Sequence, residues 1–210
     1  MNFKKIRANL RKVYDDLAPA WGRDGTLHDW GEEELKEFAT LVKKNGGKRV
    51  LDLGCGSGVQ SKMLLEEGLQ VVGLDISPEM VRIAGKKVPG TRFVVGDITK
   101  IPFRKSSFNG VYARASLLHI PKEPIPKVLK SIHKILRESG VLYLALKEGK
   151  GEREVEDKRH GRKVKRFFSF FTEDEIKKLL VESGFGVEKI VKFRKTETST
   201  DWLQVFAEKI

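Results

Sequence analysis

One short segment constrains the fold of this chain more than any other. In VLDLGCGSG, Val50 to Gly58, an apolar strand-like run ends in three closely spaced glycines, and a helix-forming stretch follows directly. Glycine allows the backbone to turn sharply and to approach a ligand closely, and the first turn of a helix offers N–H groups without intrahelical partners. The segment therefore predicts a buried strand, a tight loop and a helix N-terminus that together form a ligand-binding corner.

Apolar runs alternate with amphipathic stretches from Lys48 onward. This alternation predicts parallel strands joined by helices, because parallel neighbours need a long crossover connection. Only residues 194–201 separate the last two strands, which is too short for a crossover helix, so we expect an antiparallel hairpin there. The predicted strands are Arg49–Leu53, Gln70–Leu74, Arg92–Val95, Phe108–Ala113, Val141–Leu146, Phe185–Phe193 and Trp202–Ala207. The predicted helices are Lys5–Leu17, Glu32–Lys43, Ser57–Glu66, Pro78–Lys87, Pro126–Leu136 (ended by Gly140) and Glu173–Glu182.

Two segments fall outside this alternation. Residues 1–45 predict a helical cap on a domain that spans residues 46–210, and residues 147–166 predict a charged insertion within that domain. We expect both to lie beyond the carboxyl ends of the strands, where open α/β sheets bind their ligands. The cap is then a candidate lid, and the insertion is a candidate wall of the substrate site.

The charge balance favours anionic partners but has two explanations. Lysine and arginine total 41 against 29 aspartate and glutamate residues, a formal net charge of +12. Such a surface attracts RNA, DNA or anionic lipid, but surfaces rich in Lys, Glu and Arg are also typical of thermophilic proteins. Lys158–Arg166 contains six basic residues and no acid, although acids precede it at positions 152, 154, 156 and 157. This run is either an RNA-binding surface or a solvated, salt-bridged flap.

Composition excludes several classes of protein. No apolar stretch approaches the roughly 18–20 residues of a membrane span, and the basic N-terminal segment lacks the apolar run of a secretory signal. A single cysteine, Cys55, excludes an internal disulfide and fits a reducing interior. No spacing of His and Cys residues typical of a metal site occurs in the sequence. We therefore expect a cytoplasmic protein without a membrane span or a metal centre.

Three aspartates mark the ends of three successive strands. Asp52 lies inside the first strand, where a carboxylate can reach the loop N–H groups or a ligand amine. Asp75 ends the second strand, 21 residues after Gly54, where a carboxylate can accept both hydroxyls of a ribose. The alternative role for Asp75 is to cap the next helix, but Ser77 suits that role better. Asp97 ends the third strand, at a position that suits the exocyclic amine of an adenine.

Two isoleucines and one valine bear on which ligand the site of the three strand-end aspartates would bind. Ile76 and Ile98 follow the second and third strand-end aspartates and provide apolar faces for an adenine ring. A dinucleotide fingerprint spaced from Gly54 requires glycine or alanine at position 59, where this chain has Val59. The pattern therefore disfavours a nicotinamide dinucleotide cofactor.

Four segments, in their order and spacing, resemble the class I S-adenosylmethionine-dependent methyltransferases: VLDLGCGSG, VVGLDIS, FVVGDITKIPF and FNGVYARASLLHI. The resemblance covers about residues 45–147 and implies a Rossmann-like α/β fold. Its seven-stranded mixed sheet would have the order 3-2-1-4-5-7-6, with strand 7 antiparallel and helices on both faces. It also implies S-adenosylmethionine as the cofactor. The cofactor-binding residues that it implies are Asp52, Gly54, Cys55, Gly56, Gly58, Asp75, Ile76, Asp97, Ile98, Arg114 and Ala115.

The same resemblance implies in-line transfer of a methyl group to an oxygen or nitrogen of a small-molecule acceptor. The charge leaves tRNA or rRNA as an alternative acceptor, and a dinucleotide-dependent oxidoreductase is a more distant alternative. Tyr14, in YDDLAPAWG, resembles the residue that closes over the cofactor in small-molecule members, and His119 follows the fourth strand. These two are the candidate catalytic residues for proton removal. The alternative for His119 is a structural histidine bonded to backbone, and Cys55 more simply fills space than acts as a nucleophile.

Aromatic residues are expected around the mouth of this site. They are Trp21, Trp30, Phe167, Phe168, Phe170 and Phe171. Such rings either stack on a planar substrate or close a lid over the cofactor, and FFSFF before a helix is also typical of core packing. The sequence leaves these roles open.

Overall fold

The described part of the chain is built around a seven-stranded sheet. The structure is a computed structural model, and it describes residues 3–21, 31–194 and 201–210, with Asp157 described by its backbone alone. The helices are α1 (Phe3–Trp21), α2 (Glu32–Lys44), α3 (Val59–Glu66), α4 (Pro78–Lys87), α5 (Ile125–Ile135) and α6 (Glu173–Val181). The strands are β1 (Arg49–Leu53), β2 (Gln70–Asp75), β3 (Arg92–Val95), β4 (Phe108–Arg114), β5 (Leu136–Lys147), β6 (Glu152–Arg159), β7 (Arg162–Ser169), β8 (Phe185–Phe193) and β9 (Trp202–Lys209).

The sheet has the order β3-β2-β1-β4-β5-β9-β8. Its pairs from β3 to β5 are parallel, and β9 runs antiparallel to both β5 and β8. Because β8 and β9 are the sixth and seventh strands of the sequence prediction, the predicted order 3-2-1-4-5-7-6 and the antiparallel final strand are confirmed. The short connection before β9 permits only this hairpin, as the spacing required.

Several boundaries differ from the sequence prediction, and two of these differences have a clear physical reason. The helix predicted over Pro126–Leu136, with Gly140 as its stop signal, ends at Ile135. Residues 136–140 belong to β5. Leu136 is fully buried and pairs with Phe108, so its contacts with the sheet override the helical pattern. The helix predicted from Ser57 begins at Val59, because Gly58 at its N-cap has a φ of 83° and cannot continue the helix backwards.

The charged insertion forms a separate two-stranded sheet, which the sequence prediction missed. In this hairpin β6 pairs antiparallel with β7, and Arg159 lies opposite Arg162. His160 and Gly161 form the two-residue turn with φ values of 48° and 79°, as a type I′ turn requires. Alternating hydrophobicity, the usual signal of a strand, is masked here by the run of charged residues.

The two halves of the predicted cap have different neighbours. Helix α1 contacts α4 and β7, whereas α2 packs on the sheet through Leu35, Phe38 and Val42, which share a core with Tyr112 of β4. The opposite face of the sheet is covered mainly by α5 and α6. The division at residue 45 stays a prediction, and its connecting residues 22–30 lie outside the described residues.

The ligand edge of the sheet faces α1 and the hairpin. Asp15 of α1 accepts a hydrogen bond of 2.6 Å from Ser77, just before α4, and Asn9 donates one of 3.0 Å to the backbone oxygen of Lys165 in β7.

Among the described residues, no helix is both long and apolar enough to cross a membrane.

Candidate active site

A cavity of about 580 Å³ lies at the carboxyl ends of the parallel strands, under α1 and the hairpin. Its volume is within the range of about 300–1,000 Å³ that is usual for small-molecule sites. The structure brings all but two of the predicted site residues to its wall. Those on the wall are Tyr14, Gly54, Cys55, Gly56, Asp75, Ile76, Asp97, Ile98, Arg114, Ala115 and His119.

The glycine loop is fixed to the neighbouring strand by its own backbone. The N–H groups of Gly54 and Cys55 donate to the carbonyl oxygen of Leu74, at 2.7 and 3.1 Å. Gly54 has a φ of 87°, and a Cβ added there would lie 2.4 Å from the Cβ of Ser116. Gly56 also has a positive φ, 50°, but an added Cβ would meet no described atom within 4 Å. Packing therefore requires glycine at position 54, while position 56 leaves open space beside the cavity.

Asp75 is held in place by the two turns that flank it. Its Oδ2 accepts a hydrogen bond of 2.9 Å from the Gly56 N–H, and its Oδ1 accepts one of 2.9 Å from the Ser77 N–H. Burial raises the pKa of Asp75 above its ordinary value, although these N–H groups oppose that rise. Each carboxylate oxygen can still accept a further hydrogen bond from a ligand. Ser77 accepts from the Met80 N–H at 3.1 Å, so the predicted capping role of Ser77 is confirmed.

Asp97 is oriented by its own turn and by α1. Its Oδ1 accepts from both the backbone and the hydroxyl of Thr99 at 2.8 Å, and its Oδ2 forms an ion pair of 2.8 Å with Arg7. Burial opposes ionisation, but the bonds from Thr99 and the ion pair with Arg7 outweigh it, so the pKa of Asp97 is lowered. Arg7 thus brings α1 against the end of the cavity that holds Asp75 and Asp97, a contact that sequence reasoning missed.

Asp52 and Gly58, also predicted to bind the cofactor, lie behind the loop and do not line the cavity. Asp52 is buried and accepts a hydrogen bond of 2.6 Å from the Ser61 hydroxyl in α3. Burial raises the pKa of Asp52 to about 7. A Cβ at Gly58 would lie 3.0 Å from the Cβ of Ala84, so glycine here permits close packing of α3 on α4. These two residues support the loop from beneath.

The two candidate catalytic residues meet across the cavity wall. Tyr14 and His119, 105 positions apart, are joined by a hydrogen bond of 2.9 Å between the tyrosine hydroxyl and Nε2. The other ring nitrogen, Nδ1, lies 2.8 Å from the carbonyl oxygen of Phe167, which can only accept. In neutral His119 the Nδ1 therefore carries the proton, and the Tyr14 hydroxyl donates to Nε2.

Arg166 completes this relay, and the sequence had predicted it only as the last residue of the charged insertion 147–166 and of its basic run. It donates from Nη1 to the Tyr14 hydroxyl oxygen at 3.0 Å, and its guanidinium group is buried. Burial raises the pKa of Tyr14, and the charge of Arg166 opposes that rise. The His119 ring is thus both bonded to backbone and directed at the cavity, so both roles considered for it are compatible with its position.

The remaining wall of the cavity is aromatic and basic. Nζ of Lys147 lies 4.3 Å from the centre of the Phe168 ring and 5.9 Å from that of Trp202. Trp21 lines the cavity as expected, and its ring meets that of His160, whereas Trp30 lies outside the described residues. No sequence signal pointed to Trp202, and Lys147 was predicted only as the first residue of the insertion that forms a candidate wall of the substrate site.

Two negative findings bear on the chemistry. Burial raises the pKa of the Cys55 thiol well above its ordinary value, and Cys55 packs closely against Gly73, so the thiol is suited to filling space. Within residues 3–21, 31–194 and 201–210, no group of three or more His, Cys, Asp and Glu side chains could hold a metal ion.

Comparison with known proteins identifies relatives of this fold. Residues 50–140 match the profile of the Methyltransferase domain family. Demethylmenaquinone methyltransferase of Chlorobaculum parvum is 29% identical over 147 residues, 67% of this chain and 60% of that protein. The same enzyme of Beutenbergia cavernae is 32% identical over 135 residues, 63% of this chain and 55% of that protein. The chain thus spans about 60% of the length of the curated relatives it matches.

A solved structure is similar over the whole chain. It is the 1,6-didemethyltoxoflavin-N1-methyltransferase of Burkholderia thailandensis, with bound 1,6-didemethyltoxoflavin and S-adenosylhomocysteine. The TM-score is 0.76 at 24% identity, and the match covers 100% of this chain and 91% of that one. At this identity the likeness shows a shared fold.

Proposed function

Since this chain belongs to the class I S-adenosylmethionine-dependent methyltransferases, we propose that it transfers a methyl group to an oxygen or nitrogen of a small-molecule acceptor. One observation carries this proposal. A single cavity joins a nucleoside-type end, built from the glycine loop, Asp75 and Asp97, to a half-buried Tyr14–His119 pair suited to moving a proton. The names of the similar proteins, which describe methylation of small acceptors, support the acceptor class.

The donor set fits S-adenosylmethionine, the cofactor of this family. When bound, it supplies a methyl group already activated on a sulfonium. The two lone pairs left on Asp75 suit the ribose hydroxyls, and the flanking Ile76 and Ile98 give apolar faces for the adenine. Asp97 would accept from the adenine amine. Gly56, with open space beside its Cα, would let the methionine part approach the loop backbone, and Arg114 and Ala115 would lie near the sulfonium.

The chain contributes orientation, exclusion of water and movement of a proton. In-line displacement needs the acceptor atom held about 3 Å from the methyl carbon and aligned with it. Helix α1 and the hairpin line the cavity and contact each other, so they would limit the access of water to a bound acceptor. A hydroxyl or ammonium acceptor must also lose a proton. Tyr14 can take that proton on its oxygen while giving its own to Nε2 of His119, and Arg166 stabilises the developing phenolate.

The decisive experiment follows a methyl label into a cell extract. The extract is divided into small-molecule, RNA and protein fractions, and each is incubated with purified protein and S-adenosylmethionine labelled in its methyl group. We expect label in the small-molecule fraction, and none when Asp75→Ala protein replaces the parent. Label that disappears on ribonuclease treatment would contradict the small-molecule acceptor and favour tRNA or rRNA. Label in no fraction would contradict methyl transfer itself.

A further inference from the structure

Two buried hydroxyl groups on the cavity wall have no hydrogen-bond partner among the described residues. They belong to Ser57 of the glycine loop and to Ser116 in the turn after β4, which are 2% and 8% exposed. A hydroxyl that loses its bonds to water on burial is costly unless another group replaces them. Most buried polar side-chain atoms in proteins have a partner, so each exception needs an explanation. Ser57 belongs to the proposed cofactor loop, whereas Ser116 has no assigned role.

The turn that carries Ser116 begins with a strained residue. Ala115, which also lines the cavity, has a φ of 55°, in the left-handed region that residues other than glycine seldom adopt. Its N–H donates to the carbonyl oxygen of Ala145 at 3.0 Å, so the turn is anchored to β5. Strained residues of this kind cluster at functional sites, where the surrounding structure imposes them. The chain is thus held in a costly conformation directly before Ser116.

The turn itself does not use the hydroxyl of Ser116. This residue precedes the short 3₁₀ helix Leu117–His119, a position where a serine side chain commonly caps the first N–H groups. Its side chain makes no capping bond, and only its backbone oxygen accepts from the His119 N–H, at 3.1 Å. Ser77 shows the ordinary arrangement, because its hydroxyl caps α4. Helix capping therefore does not explain a serine at position 116.

Ser116 lies where the cofactor loop and the proton-moving pair approach each other. On one side it packs directly on Gly54, where an added Cβ would lie 2.4 Å from the Ser116 Cβ. On the other side it starts the helical turn that ends at His119, and His119 is hydrogen-bonded to Tyr14. A methyl group passing from the cofactor to an acceptor beside Tyr14 would cross this part of the cavity.

We propose that the Ser116 hydroxyl binds the atom of the acceptor that receives the methyl group. This inference rests on the proposed methyl transfer and adds a residue that holds the reacting atom. A hydroxyl both donates and accepts, so Ser116 can donate to the oxygen of an alcohol or phenol, or accept from a neutral primary amine. Tyr14 accepts a proton from the same atom. These two contacts leave one lone pair of the acceptor atom for the methyl carbon, which is the alignment that in-line displacement needs.

Replacement of Ser116 by alanine should stabilise the protein without its ligands. Ser116→Ala removes a buried hydroxyl that has no partner among the described residues, so the Tm should rise by about 2–4 °C. The matched control is Ser169→Ala, at a buried serine outside the cavity wall whose hydroxyl donates to the carbonyl oxygen of Ile120 at 2.7 Å. The Tm of this control should fall. A Tm of Ser116→Ala no higher than that of the parent would indicate a structural role and overturn the proposal.

Titration calorimetry separates binding of the acceptor from binding of the cofactor. The affinity of Ser116→Ala for S-adenosylhomocysteine should stay within about twofold of the parent value, because the proposed bond is made to the acceptor. A larger loss of affinity would assign the hydroxyl to the cofactor and overturn its role toward the acceptor.

The rate of label transfer tests the role of Ser116 in turnover. Parent and variant are compared on the small-molecule fraction that gains label. Ser116→Ala should lower the maximal rate about tenfold, because a poorly aligned acceptor reacts slowly, and should leave the KM for S-adenosylmethionine within about twofold. An unchanged rate overturns the proposal.

A binding experiment tests the site without methyl transfer. Protein saturated with S-adenosylhomocysteine is titrated with phenol and with toluene, which are similar in size and differ in a hydroxyl. Phenol should bind at least about threefold more tightly, and Ser116→Ala should remove most of this preference while leaving the affinity for toluene within about twofold. Parent protein that binds phenol no better than toluene, or a variant that keeps the full preference, overturns the Ser116 site. A preference that depends on Ser116, together with label in no fraction, overturns methyl transfer but retains the site.

Discussion

The two ends of the cavity are assembled in different ways. At the nucleoside end, each residue lies within a few positions of a strand end, and most of its hydrogen bonds connect neighbouring turns, such as Asp75 to Gly56 and Ser77. The acceptor end joins α1, the turn after β4, the end of β5 and the hairpin. There the central contacts link Tyr14 to His119 and to Arg166, 105 and 152 positions away.

This difference separates what a protein of this fold must keep from what it can change. The nucleoside end is formed by the backbone of the parallel sheet itself, so the fold and that end depend on the same glycines. The acceptor end depends on side chains that additional segments bring to the sheet. Variants at the first end should therefore affect cofactor binding or folding, and variants at the second should affect turnover.

The largest effect is expected for Asp75→Ala. If each ribose hydroxyl donates one bond to this carboxylate, the substitution removes two hydrogen bonds to a charged acceptor, at about 1.5–3 kcal/mol each. Affinity for S-adenosylhomocysteine, measured by titration calorimetry, should fall by more than about a hundredfold. Circular dichroism should show an unchanged fold. Asp174→Ala, at an exposed carboxylate of α6, is the matched control. A variant that binds as tightly as the parent would remove the ribose assignment.

Gly54→Ala should unfold the nucleoside end, and Gly56→Ala should not. At Gly54 the left-handed φ costs an L-residue about 1–2 kcal/mol, and the 2.4 Å approach to the Ser116 side chain adds an overpacking cost, for a total of about 3 kcal/mol. Gly56→Ala bears only the φ cost, about 1 kcal/mol, but should weaken binding of S-adenosylhomocysteine. Thermal unfolding and calorimetry on both variants check this. Equal losses of stability would contradict the packing argument.

The sequence predicted most of the residues that line the proposed nucleoside end, because the determinants of their positions are local. A strand that ends in glycines, and an aspartate at the end of the next strand, can be recognised from spacing alone. The two exceptions, Asp52 and Gly58, have the expected residue types but lie behind the loop. The Asp52 carboxylate is bonded to Ser61 of α3, and the Gly58 backbone packs closely on Ala84 of α4, and spacing in the sequence does not specify either contact.

The acceptor end was predicted only in part. Tyr14 and His119 were predicted as separate candidates, but their hydrogen bond depends on how α1 sits over β4, which no local pattern specifies. Arg166 and Lys147 were predicted only as members of the insertion 147–166, a candidate wall of the substrate site, and their individual contacts were missed for the same reason. The alternation that would have revealed the hairpin is hidden, because lysines and arginines occupy both of its faces.

Tyr14→Phe should slow methyl transfer without weakening cofactor binding. The change removes the hydroxyl that passes a proton to His119, and general-base catalysis contributes at least about a hundredfold. The initial rate of label transfer should fall by about that factor, while affinity for S-adenosylhomocysteine stays within about twofold. His119→Gln should act similarly, and the double variant should be no slower than either single one, because the two residues act as one relay. Multiplicative losses would indicate independent roles.

Asp52→Asn should have the smallest effect on cofactor binding, and its effect on stability should depend on pH. The folded pKa of about 7 lies above the ordinary value of 3.8, so between about pH 4 and pH 7 the native state retains a proton that the unfolded state has lost. The contribution of Asp52 to stability is therefore complete below pH 4 and is lost as pH rises through 7.

Asparagine cannot ionise and can still accept a hydrogen bond from Ser61. As pH rises from 5 to 7, the free energy of unfolding of the variant should therefore increase relative to that of the parent by about 1 kcal/mol for each pH unit. Urea unfolding of both proteins across this range measures the difference. Parallel stability profiles would contradict a buried, protonated Asp52. A tenfold loss of affinity for S-adenosylhomocysteine in this variant would instead place Asp52 among the cofactor ligands, because a side chain that only supports the loop should leave binding nearly unchanged.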